Sequence, residues 1–388
     1  MDALCVILEL KREEWSYVCA LKRASYIKLL QKKMVKDINA PKKPIVVIHT
    51  YFKSKYLFIN NSERKIGGYT MSLEVKNLVK KYGEKTVVND LSFKMEEPGV
   101  YALLGTNGAG KTTTIRIILG MLSYDSGQVL WDGKELNPME LNLGYLAEER
   151  GLYPKFTLMD QLLYFAKLKK VPKSLAKERI KYWAERLEVT EYLYQPVEAK
   201  KSKLGKKKNK PKTADQLSKG NQQKIQLMAA LLSDPEFIVL DEPLSGLDPV
   251  NTDLFKGIIK ELIDAKKYVI MSSHQMPTIE EFCKDITILN RGNVVLQGDL
   301  NEIKKSYGRV NMLVKCEGKD IKPYIEEFNL SIVNETPDGY QLKVTSEDQA
   351  SKFLAKLVAE KVTVIKYELR EPSLHEIFVE KVGEAHEE

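Results

Sequence analysis

From Met71 onward, short apolar runs of strand length alternate with longer segments whose apolar residues recur every three or four positions. Leu73 to Val75 and Val87 to Phe93 read as strands, and Pro98-Gly99 turns the chain into Val100 to Leu104, an apolar run suited to a central strand. Phe237 to Leu240 and Tyr268 to Met271 are two more. The helical pattern Asn251 to Lys266 between them is the alternation expected of parallel βα units. A helix-rich insertion precedes Phe237, with helices predicted over Leu158 to Lys170, Ser174 to Leu187 and Gln222 to Leu232.

Beyond about Ser306 the pattern changes. Val310 to Cys316 predicts a strand, Ile321 to Phe328 a helix, Leu330 to Asn334 and Tyr340 to Val344 two strands, Glu347 to Ala359 a helix, and Val362 to Leu369 a strand. That β-α-β-β-α-β order fits a small α+β, ferredoxin-like domain, and a last helix is expected over Ser373 to Val382. The first 70 residues differ from both parts: they are lysine-rich, weakly periodic, broken by Pro41 and Pro44, and closed by Gly67-Gly68. The expected division is an N-terminal extension over 1–70, disordered or foreign to the natural protein, an α/β core over 71–305 with a helical subdomain at about 150–232, and an accessory domain over 306–388.

Composition narrows the class. A chain of 388 residues with 43% hydrophobic and 29% charged residues holds more than one domain and is not generally disordered. No apolar stretch approaches the ~18 residues that span a bilayer, so any membrane role is expected to be peripheral. Asp2 and Glu9 flank only a short apolar run, a poor secretory signal, and a cytosolic address is expected. Cys5, Cys19, Cys283 and Cys316 form no C-x-x-C pair, so neither zinc nor a disulfide framework is indicated. Much of the +8 net charge sits in the first segment and in the run Lys200 to Lys212, which reads as a solvated loop, and no specific nucleic acid is expected.

The sharpest chemical signal is Gly105-Thr106-Asn107-Gly108-Ala109-Gly110-Lys111-Thr112, followed by Thr113, between a predicted strand and a predicted helix. It fits G-x-x-x-x-G-K-[ST]. Glycines let the backbone curl until N–H groups face phosphate oxygens, and the helix N-terminus adds partial positive charge. Lys111 is then expected at the β- and γ-phosphates and Thr112 on Mg²⁺. A second signal is the buried strand ending in Asp241-Glu242. Two acids at a strand end suit separate tasks: Asp241 for Mg²⁺, Glu242 as the base that polarises the attacking water.

Taken together these motifs resemble the ATPase subunits of ABC transporters, from Met71 to about Gln297 and in the family's order. Leu217-Ser218-Lys219-Gly220-Asn221 resembles the signature loop, Leu244 to Pro249 the D-loop with Asp248, and Ser272-Ser273-His274 the switch histidine. The resemblance implies a P-loop NTPase fold, ATP and Mg²⁺ as ligands, and a dimer in which the signature of one subunit caps the γ-phosphate held by the other. The second subunit would be another copy of the chain or a homologous ATPase. It also implies that His274 contacts the γ-phosphate and that Tyr82 stacks on adenine. An integral membrane permease would be met through Ala147 to Leu168, on the cytoplasmic face of the membrane.

Departures from the family pattern are visible too. Glu148 stands where the Q-loop usually has glutamine, as a further candidate Mg²⁺ ligand, and Lys219 and Asn221 replace the commoner glycine and glutamine. With Pro372 to Phe378 these variants resemble the sodium-efflux and drug-export branch. An exporter ATPase paired with a separate permease is the reading taken forward. A soluble ABC ATPase acting on ribosome or nucleic acid is the alternative; against it, the chain has one glycine loop and one signature.

Overall fold

The computed structural model describes residues 71–387 except 150, 195–210 and 338; the expectations for residues 1–70 and for 200–210 of the lysine run lie outside the described residues. Strands β1 (Leu73–Tyr82) and β2 (Lys85–Met95) form an antiparallel hairpin. β1 runs well beyond the predicted Leu73 to Val75. Register shifts after Val75 and Leu78, with Asn77 in the left-handed region at φ 46°, break the period-two alternation, so the apolar pattern ends before the strand does.

β3 (Gly99–Gly105) is buried along almost its whole length and leads through the glycine loop into α1 (Lys111–Ile118). β4 (Ser126–Trp131) and β5 (Lys134–Glu135) complete a four-stranded antiparallel sheet of order β2-β1-β4-β5. β6 (Leu143–Leu146) precedes the helical insertion of α2 (Leu158–Leu168), α3 (Lys173–Arg186), α4 (Thr190–Leu193) and α5 (Lys219–Leu231). Then follow β7 (Phe237–Asp241), α6 (Pro249–Asp264), β8 (Tyr268–Ser273), α7 (Met276–Phe282), β9 (Asp285–Asn290) and β10 (Asn293–Asp299).

The second sheet has the order β10-β9-β3-β8-β7-β6 and is parallel apart from β10. β7 and β8 are buried at every position, as expected of central parallel strands covered on both faces. Both sheets and α1 share one core, in which Leu78, Leu91 and Phe93 meet Leu103, Ile115 and Phe237. The Phe93 and Tyr101 rings stack at 4.6 Å between centroids.

After α8 (Leu300–Tyr307) come β11 (Asn311–Glu317), α9 (Lys322–Glu327), β12 (Ser331–Thr336), β13 (Gly339–Lys343), α10 (Glu347–Ala359) and β14 (Thr363–Arg370). Their sheet is antiparallel with order β12-β13-β11-β14, and Met312, Val314, Ile325, Leu342, Phe353 and Leu357 fill a core of their own. This is the ferredoxin-like arrangement predicted from the element order. α11 (Leu374–Glu387) packs back on α7, where Glu280 accepts from the Leu374 N–H at 3.2 Å and pairs with Lys304. Among the described residues no helix is long and apolar enough to cross a membrane.

Candidate active site

Every feature of the glycine loop follows from its backbone. Gly105, Gly108 and Gly110 have φ of 149°, 79° and 111°, a region that side chains rarely adopt. A Cβ at Gly105 would stand 2.3 Å from the Leu289 carbonyl, and one at Gly110 would stand 2.7 Å from that of Val87. α1 begins on Gly110 with no side-chain cap and no acid in its first turn. Its leading N–H groups are therefore unpartnered by side chains, an arrangement that suits an anion. Thr106, Asn107 and Gly108 are exposed, Ala109 and Lys111 are buried, and Thr112 and Thr113 lie between these extremes.

Lys111 lies across the loop, donating to the carbonyls of Gly105 at 2.9 Å and Thr106 at 3.2 Å. Its ammonium is also 3.8 Å from Glu242 Oε1. The other carboxylate oxygen, Oε2, is 2.9 Å from His274 Nδ1, so Glu242 is held between a lysine and a histidine from two different strand ends. Glu242 and Lys111 are buried, while half of the His274 side chain is exposed. Glu242 has φ 49°, a strained value for a non-glycine residue, and its N–H is fixed by Ser272 Oγ at 3.0 Å.

Ser272 also donates to Asp241 Oδ1 at 2.5 Å, which follows from the parallel register that sets Asp241 opposite Ser272. Asp241 Oδ2 is buried without a hydrogen-bond partner. Burial pushes the Asp241 carboxyl above its usual range; Ser272 opposes this, the charge of Glu242 adds to it, and Thr112 and Lys111 pull the other way. An orphaned, buried carboxylate oxygen near a threonine hydroxyl at an anion-binding loop fits a hard divalent cation that takes its remaining oxygens from water and phosphate. Glu148 is exposed beyond β6, with no hydrogen bond or ion pair to this cluster among the described residues. Nearby, burial and the negative charge of Asp241 push the Tyr145 phenol up to about 12.

The signature-like residues open α5. Ser218 caps it, accepting from the Asn221 N–H at 3.3 Å, while Leu217 is buried and Lys219 exposed. Gly220 lies against the D-loop turn: a Cβ there would be 3.3 Å from Asn251 Nδ2 and 3.5 Å from Leu247. Asp248 caps α6 by accepting from Asn251 N at 2.9 Å, and that bond lowers its pKa. Among the described residues no hydrogen bond joins the signature loop to the glycine loop of the same chain; Ser218 and Lys219 of the one and Thr106, Asn107 and Gly108 of the other are exposed. Tyr82 ends β1 with its ring half exposed and the Lys80 ammonium 5.3 Å from the ring centroid.

A family model described as "ABC transporter" matches residues 88–245, and one described as "ATP-binding protein DrrA1-3-like, C-terminal domain" matches residues 298–382. The ABC transporter ATP-binding protein YhaQ of Bacillus subtilis is 40% identical over 316 residues, covering 81% of this chain and all of that protein. The chain belongs to the ATP-binding subunits of ABC transporters. Members of this family are ATPases, and the subunit binds and hydrolyses ATP to drive transport.

Two further relatives are the linearmycin resistance ATP-binding protein LnrL of B. subtilis, 28% identical over 80% of this chain and 98% of that one, and the Nod factor export ATP-binding protein I of Ralstonia nicotianae, 30% identical over 61% and 70%. A solved ATP-binding subunit of an ABC transporter superposes with a TM-score of 0.53 at 27% identity, covering 61% of this chain and 93% of that one. The subunit's fold is thus an ABC ATPase domain followed by a small α+β unit. Sequence reading gave no role to Ser272, although it lies in the quoted Ser-Ser-His run. It missed Gln223, whose side chain donates to the Pro243 carbonyl at 2.7 Å and ties the signature helix to the strand end carrying Glu242.

Proposed function

We propose that the subunit powers an exporter of the sodium-efflux and drug-export branch, working with a separately encoded membrane permease at the cytoplasmic face. The DrrA-like match over the C-terminal residues and the export and resistance names of two relatives support this assignment. On the same reading the chain divides into an ATPase domain over 71–305 and an accessory domain over 306–388. The face that meets the permease includes Tyr153, Phe156 and Tyr164, large side chains left exposed around Phe165.

The observation that carries the catalytic reading is Glu242 gripped by Lys111 and His274 beside the glycine loop. Residues 105–113 cradle the triphosphate with backbone N–H groups, and Lys111 exchanges the Gly105 and Thr106 carbonyls for phosphate oxygens. Glu242 accepts the proton of the attacking water, and His274 fixes its carboxylate and the γ-phosphate. Thr112 and Asp241 would hold Mg²⁺, which would neutralise phosphate charge, with the exposed Glu148 as a further candidate ligand. Tyr82 takes the adenine on its open face. Ser218, Gly220 and Asn221 of a second copy close over the γ-phosphate, with Asp248 beside that seam, so turnover requires a dimer.

The test is Glu242→Gln in the full chain. It should bind ATP, assemble an ATP-dependent dimer and lose most turnover, and the permease should co-purify with the wild-type subunit from membranes. Normal hydrolysis by Glu242→Gln would sink the assignment of the base, and salt-sensitive RNA binding without a membrane partner would favour the ribosome or nucleic-acid reading.

A further inference from the structure

We infer that Tyr192 is a positioning residue for the signature loop, acting through Asn221; this rests on the proposed role of that loop as the second face of the nucleotide site. Asn221 lies in the first turn of α5, where its backbone N–H supplies the cap bond to Ser218 Oγ at 3.3 Å. Its side-chain amide donates from Nδ2 to the Tyr192 hydroxyl at 3.0 Å. One residue thus joins the capped end of the signature helix to α4, the short helix that precedes the lysine run in sequence.

Tyr192 is itself held. The Lys212 ammonium sits 4.5 Å from its ring centroid, and the Tyr194 N–H that follows it returns to the Thr190 carbonyl at 2.8 Å. Gly220 lies against Leu247 of the D-loop turn and Asn251 in the first turn of α6, so the opening turn of α5 is flanked by those residues as well as by Tyr192. A helix start whose N–H groups must stay free for a ligand cannot use all of them for its own capping. Side-chain ties such as Asn221 to Tyr192 hold the turn without consuming those donors. Tyr192 makes none of the hydrogen bonds that hold Lys111, Asp241, Glu242 or His274, so its hydroxyl bears on the second face of the site and not on the first.

A neutral hydroxyl–amide hydrogen bond changes an equilibrium by about three- to tenfold. Tyr192→Phe removes the hydroxyl and keeps the ring beneath Lys212. In the full chain with Mg²⁺, binding of a fluorescent ATP analogue at protein concentrations too low for dimerisation should stay as in wild type. In the Glu242→Gln background, the protein concentration at half-assembly of the ATP-dependent dimer, read by sedimentation, should rise by about tenfold to a hundredfold, because both faces of the dimer lose the bond. Steady-state hydrolysis of the single variant should fall by the same factor at low protein concentration and recover at high concentration. A merely structural role would instead lower the melting temperature and analogue binding together.

Asn221→Ala should shift dimer assembly at least as far, and adding Tyr192→Phe to it should change nothing more. An unshifted assembly midpoint in Tyr192→Phe, or an additive shift in the double variant, overturns the inference while leaving the proposed function intact. Failure of Glu242→Gln to dimerise with ATP at all overturns both.

Discussion

Ser272→Ala tests the site at the residue that holds both acids. Ser272 is fully buried and its hydroxyl makes two bonds, donating to Asp241 Oδ1 at 2.5 Å and accepting from the Glu242 N–H at 3.0 Å. Removing it takes this partner from the buried Glu242 N–H and from Asp241 Oδ1, on a carboxylate whose Oδ2 already lacks one. Each orphaned group costs about 1 to 3 kcal/mol, so the expected loss is about 3 kcal/mol and a fall in melting temperature of roughly 5 to 10 °C. The Glu242 peptide, at φ 49°, also loses a bond that stabilises its strained conformation, and the carboxylate drifts from between Lys111 and His274. A shift of this kind should lower turnover by about tenfold to a hundredfold. Differential scanning calorimetry and a phosphate-release assay read the two effects. A melting temperature within about 1 °C of wild type, with turnover within about twofold, would refute the reasoning.

His274→Ala should leave stability within about 1 kcal/mol, because half of that side chain is exposed, while turnover falls by about a hundredfold in the same phosphate-release assay. Gly105→Ala forces a Cβ to within 2.3 Å of the Leu289 carbonyl at φ 149°; it should cost about 3 kcal/mol or more in thermal melts and abolish retention on ATP-agarose. Lys111→Ala should destabilise the nucleotide-free protein by about 2 kcal/mol by leaving Glu242 one partner short, whereas Glu242→Gln should not, because Lys111 keeps its two carbonyl partners; chemical denaturation compares them. Burial disfavours the Glu376 charge, but bonds from Arg370 at 2.8 and 2.9 Å and from Ser373 outweigh it and hold its pKa at about 2, against 4.5 when unfolded. Its stabilisation, about 1 to 2 kcal/mol after solvent screening, is complete above about pH 4.5 and lost as pH falls toward 2; the melting difference between wild type and Arg370→Ala should shrink over that window.

What the sequence disclosed and what it withheld divide along physical lines. The glycine loop is legible because its glycines are demanded by backbone conformation and close approach, at Gly105 and Gly110 above all. α10 begins and ends where predicted, since Ser346 caps it and its buried residues Ala350, Phe353 and Leu357 keep helical spacing. β4 and β5 left little trace: Val129 is the one fully buried residue of β4, and β5 has two exposed residues. The bonds that organise the site were illegible for another reason. Ser272 to Asp241, Gln223 to the Pro243 carbonyl and Tyr192 to Asn221 join ordinary residues 20 to 31 positions apart, and only the register of β7 against β8 or the packing of α5 brings them together.

The site's charges decide what a bound triphosphate must replace. Lys111 and Glu242 are buried yet not isolated: the ammonium has two backbone carbonyls and a carboxylate, and the carboxylate has the ammonium and a histidine. Phosphate entering the loop therefore replaces partners that already exist, so the binding free energy is a difference between two satisfied states and not the whole Coulombic attraction of a lysine for a triphosphate. The group of this site without such a partner is Asp241 Oδ2, an acceptor that a cation satisfies and a phosphate oxygen does not. A metal and a nucleotide would therefore suit the site as a pair: the loop offers donors to the anion, and Asp241 Oδ2 offers an acceptor to a cation that accompanies it.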